Sequence, residues 1–474
     1  MIARTVALLL ALVVAASAQD DKAKAEYEKK IAAARKKAAT EYVTLGKWAA
    51  EKKAHHLACP CWERAIVYDP DEPTARKNLG FKKEGDAWVE IPRYDILRAY
   101  MGPGDKKEAI QNEFDTKKPK TEKKLADEYA NVGKFAKDKG MTAEADACFQ
   151  EAIVFDPEHE AARKALGHVK ENGVWVSPAD KEAQKANAAK VAGAGEGEEW
   201  NEETEIEKAL GLKLSKRKSE RFHVWAFYSG DPLKKTIKLA EAAQTEFYAI
   251  FELSADTLLA PPPIELIILE TQDHHGLFID ALSGCAEENK KWMKSLGGFY
   301  SWEPPRGECW AGPWGPDYGI DFAIHETTHI LWAFYARELL ERAWIFEGLA
   351  YYMSAKLNNT ASTFCIAQQS GAMGGKSIGT PPGWKALIKA GLKDGTDPDM
   401  RATLNAGTNS LNSLMCVKAW SLLDWFLSTR KKDFMRFLGM MKSGTPQDQA
   451  IIDAFGGSYD KLQSDWAAWV KANY

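Results

Sequence analysis

Residues 42–89 and 129–176 align without a gap at an offset of 87. Tyr42, Gly46, Lys47, Ala65, Ile66, Val67, Asp69, Pro70, Ala75, Arg76, Lys77, Leu79, Gly80 and Trp88 all recur in the second copy, from Tyr129 to Trp175. An internal repeat of this kind forces stacked supersecondary units, because one copy cannot bury its own apolar face. Each copy reads as a helix pair that stops at a proline (Pro70, Pro157), since proline cannot continue a helix. A short Ala-Arg-Lys-x-x-Gly helix follows. Gly85–Val89 and Gly173–Val176 read as short turns or strands. Pro60 falls inside the second helix of the first copy, which predicts a kink or a late start there.

The chain has 474 residues, too many for one core, so two domains are expected. Residues 1–18 read as a secretory leader: Arg4, an apolar run from Val6 to Val14, and Ala16-Ser17-Ala18 before Gln19. That run is too short for a membrane span. The mature protein is expected to be secreted or periplasmic. Net charge is −4, and −4 − 1 = −5 once Arg4 leaves, which gives no support for nucleic-acid binding. Lys117 to Lys124 reads as a solvated face. Export permits disulfides. Seven cysteines leave one over, with Cys285–Cys309 and Cys365–Cys416 as candidate pairs and Cys59 and Cys61 as packing residues.

The expected organisation is 1–18 leader, 19–180 helical repeats, 181–203 linker and 204–474 a second domain. The linker is assigned on its Ala, Gly, Lys and Glu content. In the second domain Phe222–Tyr228, Ile264–Leu269 and Gly297–Trp302 read as strands. Leu233–Phe251 and Phe278–Leu296 read as helices. Glu303–Tyr318 reads as a Gly/Pro/Trp-rich loop, with Trp302, Trp310 and Trp314 either gripping a ligand or packing locally. Asn358–Ser413 reads as a long loop, and four helices follow to the C-terminus. In Asp273-His274-His275 the aspartate reads as a helix N-cap rather than a metal ligand.

The chemistry concentrates in Ala323–Met353. His325-Glu326-Thr327-Thr328-His329 is an H-E-x-x-H pattern in apolar, helix-forming sequence. Positions i and i+4 share a helix face, so both imidazoles can reach one zinc ion while Glu326 points to a neighbouring face. A catalytic zinc wants three protein ligands and an open position. Glu347 is the only acid in Trp344–Ala350, where a carboxylate is costly unless it is paired or binds a metal. A third histidine ligand is excluded, because Trp332 and Tyr335 occupy the Gly and His places of that pattern.

These motifs resemble the gluzincin clan of zinc metallopeptidases, the thermolysin and aminopeptidase type, in which H-E-x-x-H is followed by W-x-x-E-G-x-A. The resemblance implies an α+β fold: a small mixed sheet, the zinc helix, then a helical C-terminal half. It implies Zn2+ held by His325, His329 and Glu347, with Glu326 as general base in peptide hydrolysis. It also implies Gly298–Trp302 as the edge strand that an extended substrate pairs with. The G-x-M-E-N of aminopeptidases is absent (the strand reads GGFYS), so an endopeptidase is expected. Tyr351 replaces the Asp that buttresses the first His in thermolysin-like members. Tyr351, Tyr352, Tyr318 and His275 are oxyanion-donor candidates. Each N-terminal repeat is similar to a tetratricopeptide unit, through Leu45, Gly46, Ala58, Trp62, Ala65, Pro70 and their equivalents Val132, Gly133, Ala145, Phe149, Ala152, Pro157. That resemblance implies either partner docking or a helical spacer. The competing function is a binding scaffold on a zinc peptidase fold without useful turnover; a third keeps the zinc site but acts on another amide or an epoxide.

Overall fold

The computed structural model describes residues 2–91, 99–171, 173–361, 363 and 381–474, with 2–20 by their backbone alone. The fold is mixed, predominantly helical with a small sheet. Two compact units divide it: residues 1–178 with 389–396, and residues 179–388 with 397–474.

In the first unit the repeat is visible element by element. The first copy comprises α1 (Ile2–Glu51), α2 (His55–Tyr68), α3 (Pro73–Asn78), β1 (Phe81–Glu84) and β2 (Ala87–Glu90). The second comprises α4 (Lys107–Asp138), α5 (Thr142–Phe155), α6 (Glu160–Ala165), β3 (Val169–Glu171) and β4 (Val174–Val176). Helices α5 and α6 begin and end 87 residues after α2 and α3. Each strand pair is an antiparallel hairpin.

The repeated residues have identifiable tasks. Arg76 Nε donates to the Pro70 carbonyl at 2.8 Å, and Arg163 Nε to that of Pro157 at 2.9 Å. Each closes the turn after its helix pair. Trp88 Nε1 reaches Asp71 at 2.9 Å, and Trp175 Nε1 reaches Glu158 at 3.3 Å, tying each hairpin to that turn. Gly46 and Gly133 let an aromatic ring cross the first helix: a Cβ would lie 2.4 Å from Trp62 in one copy and 2.9 Å from Phe149 in the other. Gly46→Ala should therefore cost about 1–3 kcal/mol through overpacking, although Gly→Ala inside a helix ordinarily stabilises. Chemical denaturation reads the difference, and a gain in stability would contradict this packing. Helix α2 starts at His55 and runs through Pro60, so the late start expected from that proline does not occur; Cys59 and Cys61 are buried on the same helix.

The second unit opens with α7 (Pro178–Ala192, of which Pro178 falls in the first unit). The stretch expected to be a linker is thus helical, as its alanines and lysines favour. Its remainder enters a sheet as β5 (Glu198–Glu199). Then come α8 (Glu205–Leu210), β6 (Ser215–Lys218), β7 (Phe222–Ala226), α9 (Asp231–Ile250), β8 (Ile264–Leu269), α10 (Gln272–Ala281), α11 (Glu287–Met293), β9 (Gly298–Trp302), β10 (Pro305–Trp310) and α12 (Pro316–Tyr335). Strand order is β5-β6-β7-β8-β10-β9, with β7, β8 and β10 parallel and the other pairs antiparallel. Helices α9 and α12 pack on one face, and α8 and α10 on the other.

Strand β10 corrects the expected loop. Its Gly and Pro hid a buried central strand, with Pro305 at its first residue, where a missing N–H is tolerated. The helix expected over Phe278–Leu296 is two helices, broken near Gly284, whose φ is +66°. Thr271, not Asp273, caps α10, accepting from His274 N at 3.1 Å.

After α12 the chain forms α13 (Ala343–Asn358), α14 (Pro381–Asp394), α15 (Met400–Asn405), α16 (Ser413–Thr429), α17 (Lys431–Lys442), α18 (Gln447–Phe455) and α19 (Tyr459–Asn473). The region expected as one loop, Asn358–Ser413, therefore carries α14 and α15 among its described residues. Cys365 of the second candidate disulfide lies outside the described residues. Cys285 and Cys309 are free thiols. Strand alternation explains why: Cys309 faces α12, whereas Cys285 belongs to the cluster on the α10 side. Among the described residues no helix is long and apolar enough to cross a membrane.

Candidate metal centre

Helix α12 is buried from Gly319 to Ala333, so its polar residues need partners inside the protein. His325, Glu326 and His329 lie on it with ligand atoms within 4.8 Å of one another. The two imidazole rings are 4.5 Å apart and nearly perpendicular.

Helix α13 packs on α12 and gives Trp344, Glu347 and Gly348 of the downstream motif distinct tasks. Trp344 sits among Phe426, Phe434 and Phe437. Gly348 is the contact point with α16, where a Cβ would lie 3.1 Å from the Ala419 backbone. Between them Glu347 turns to the histidines. Its carboxylate oxygens lie 3.6 Å from His325 Nε2 and 3.7 Å from His329 Nε2, with all three side chains fully buried. Neither Glu347 oxygen makes a hydrogen bond.

Those separations test the fit to a metal. Ligand atoms each about 2.0–2.2 Å from a tetrahedral zinc stand about 3.3–3.6 Å apart. The observed 3.6 and 3.7 Å are too long for hydrogen bonds and stand at and just beyond the upper end of that ligand spacing. Two carboxylates are near both imidazoles: a Glu326 oxygen within 4.8 Å, and the Glu347 oxygens closer, at 3.6 and 3.7 Å. Two imidazoles and one carboxylate are a donor set that suits zinc.

Local packing sets the remaining geometry. Phe346 stacks on the His329 ring at 3.7 Å, 9° from parallel. Tyr300, on edge strand β9, lies 5.7 Å from the same ring. Sequence reasoning missed both; Phe346 adjoins Glu347 and its place in the motif was the available signal. Gly307 on β10 passes Glu326 so closely that a Cβ would sit 2.8 Å from the Glu326 Cβ. Asp321, one turn before His325, accepts from the Thr363 amide at 2.9 Å. Burial, helped by His325, holds the His329 imidazole well below its ordinary value, which favours the neutral form a metal requires. At His325 burial also acts downward, but the Glu347 carboxylate outweighs it and the net shift is upward.

The oxyanion-donor candidates separate clearly. Tyr351 is fully buried, with its ring 5.5 Å from that of His325. Tyr352 accepts from Lys356 at 3.0 Å. Tyr318 packs on Trp314, which packs on Trp310. Trp302 lies under the Arg337 guanidinium. His275 is not at the site. It is buried on the far face of the sheet, with Nδ1 2.7 Å from Glu308 and Nε2 3.0 Å from the Met293 carbonyl. Burial raises the Glu308 carboxyl against the pull of His275. Glu308→Ala should strand that imidazole and destabilise the fold by about 3–5 kcal/mol. Denaturation measures this; a loss below 1 kcal/mol would show the pair to be dispensable.

No protein-family model and no curated protein matches this chain.

Proposed function

We propose that the second unit is a zinc-dependent peptidase of the gluzincin type, an endopeptidase acting on peptide or protein substrates in a secreted or periplasmic protein. The observation that carries this reading is Glu347. A fully buried carboxylate without a hydrogen bond is costly, and this one faces two imidazoles at metal-ligand spacing.

His325, His329 and Glu347 would hold the ion. Zinc there would supply Lewis-acid polarisation of an oxygen and acidify a water to a pKa of about 7. Glu326 accepts the proton of the attacking water and delivers it to the leaving amine. The close passage of β10 at Gly307 limits where its side chain can go. Strand β9 ends the sheet among the described residues, the place where an extended peptide would add as a further strand, and Tyr300 on it approaches the His329 ring. The two copies in the first unit, each three helices and a hairpin, are read as tetratricopeptide-like repeats.

The test is hydrolysis of a broad peptide library by the zinc-loaded protein, with and without a chelator. Cleavage that stops on chelation and returns with zinc is expected. Zinc-loaded protein that cleaves nothing in the library would remove the peptidase reading.

A further inference from the structure

In the first unit one aromatic ring comes from each long helix: Tyr42 from α1, Tyr68 from α2, Tyr129 from α4 and Phe155 from α5. Tyr42 and Tyr129 are equivalent in the repeat, as are Tyr68 and Phe155, so the repetition itself assembles the cluster. One position breaks that symmetry. The equivalent of Arg35 is Glu122, a buried acid that accepts from the Tyr42 hydroxyl at 2.6 Å.

A lysine from far along the chain enters here. Lys393 Nζ lies 2.7 Å from Glu122, 3.0 Å from the Val154 carbonyl and 5.2 Å from the centre of the Phe155 ring. Its side chain is 5 % exposed. The next residue, Asp394, pairs with Lys118 at 2.7 Å, one turn before Glu122 on α4. Consecutive residues of opposite charge thus meet the opposite charges at i and i+4 of one helix. Carboxylate, carbonyl and aromatic face together are the groups that recognise a desolvated ammonium. The Tyr129 hydroxyl, buried in the same cluster, has no hydrogen-bond partner, so the cluster keeps spare polar capacity.

We propose that the helical repeats form a receptor for a Lys-Asp pair, and that the receptor is filled by this chain's own Lys393-Asp394. The first unit is then an internal clasp on residues 389–396, and its binding cluster is closed to other ligands while the clasp holds. The receptor's specificity comes from Glu122 and Phe155 for the lysine and Lys118 for the aspartate. This inference is independent of the metal site.

Hydrogen exchange on the full chain tests it, together with a labelled peptide spanning residues 390–396 (Ala-Gly-Leu-Lys-Asp-Gly-Thr). In the wild type, amides of 390–396 are expected to be protected and the peptide is not expected to bind. Lys393→Ala should raise exchange of that segment about tenfold or more, leave α4 and α5 protected, and let the peptide bind. Asp394→Lys should loosen the segment, and adding Lys118→Asp should restore it, which a variant that merely misfolds would not show. Unchanged protection in Lys393→Ala, peptide binding equal in wild type and variant, or no binding to the variant would each overturn the proposal.

Discussion

Glu326→Gln is expected to lower peptide hydrolysis by about 10²–10⁴-fold while leaving zinc content unchanged. The amide has the volume of the carboxylate, so the close passage of Gly307 past the Glu326 Cβ is kept. What would be lost is the group proposed to take a proton from water and return it to the leaving amine. Glu326 is 3 % exposed, so bulk buffer is poorly placed to substitute for it. Paired assays of activity and metal content check the outcome. Full activity in the variant would mean that another group is the base. Loss of zinc along with activity would move Glu326 into the ligand set.

Glu347→Gln is expected to do the opposite: remove the metal and keep the fold. A neutral amide is a poor zinc ligand, and without the carboxylate only two imidazoles remain. In the metal-free protein the variant should be at least as stable as the wild type, because a fully buried carboxylate without a hydrogen bond is replaced by a neutral group. The zinc-loaded wild type should exceed both. An ion present at about 1,000 times its dissociation constant stabilises by about 4 kcal/mol. Thermal unfolding with and without chelator separates the cases. Chelation should lower the wild-type Tm and leave that of Glu347→Gln in place. A variant that binds zinc as the wild type does would assign the third position to a different residue.

The residues that meet at the centre were named from sequence because each broke its local pattern. Two histidines stood one turn apart in an apolar helix, and one acid stood among Trp, Ile, Phe, Leu and Ala. Such exceptions are legible because burying a polar group needs a reason. The repeat was legible for a related reason: turns and close helix crossings fix Gly, Pro, Arg and Trp at set offsets. Strand β10 was not, since Pro305, Arg306, Gly307 and Glu308 read locally as loop. Its polar side chains are buried only because partners come from elsewhere, Arg306 with Glu265 and Glu308 with His275. The helix in place of a linker was missed by weighing glycine over alanine. His275 was drawn toward the site by its chemistry alone; only the strand alternation of β10, with Gly307 toward α12 and Glu308 toward α10, puts it on the other face. Tyr300 lies in no motif and Phe346 fills an unspecified position of one; their approach to His329 arises from how α13 and β9 pack.

The most direct test of the metal centre is anomalous diffraction at the zinc absorption edge on crystals of the zinc-loaded protein, with elemental analysis of the same sample. The account predicts about one zinc per chain, with its anomalous peak about 2.0–2.2 Å from Nε2 of His325, Nε2 of His329 and an oxygen of Glu347. A protein that takes up no zinc, or a peak away from these three groups, would contradict it.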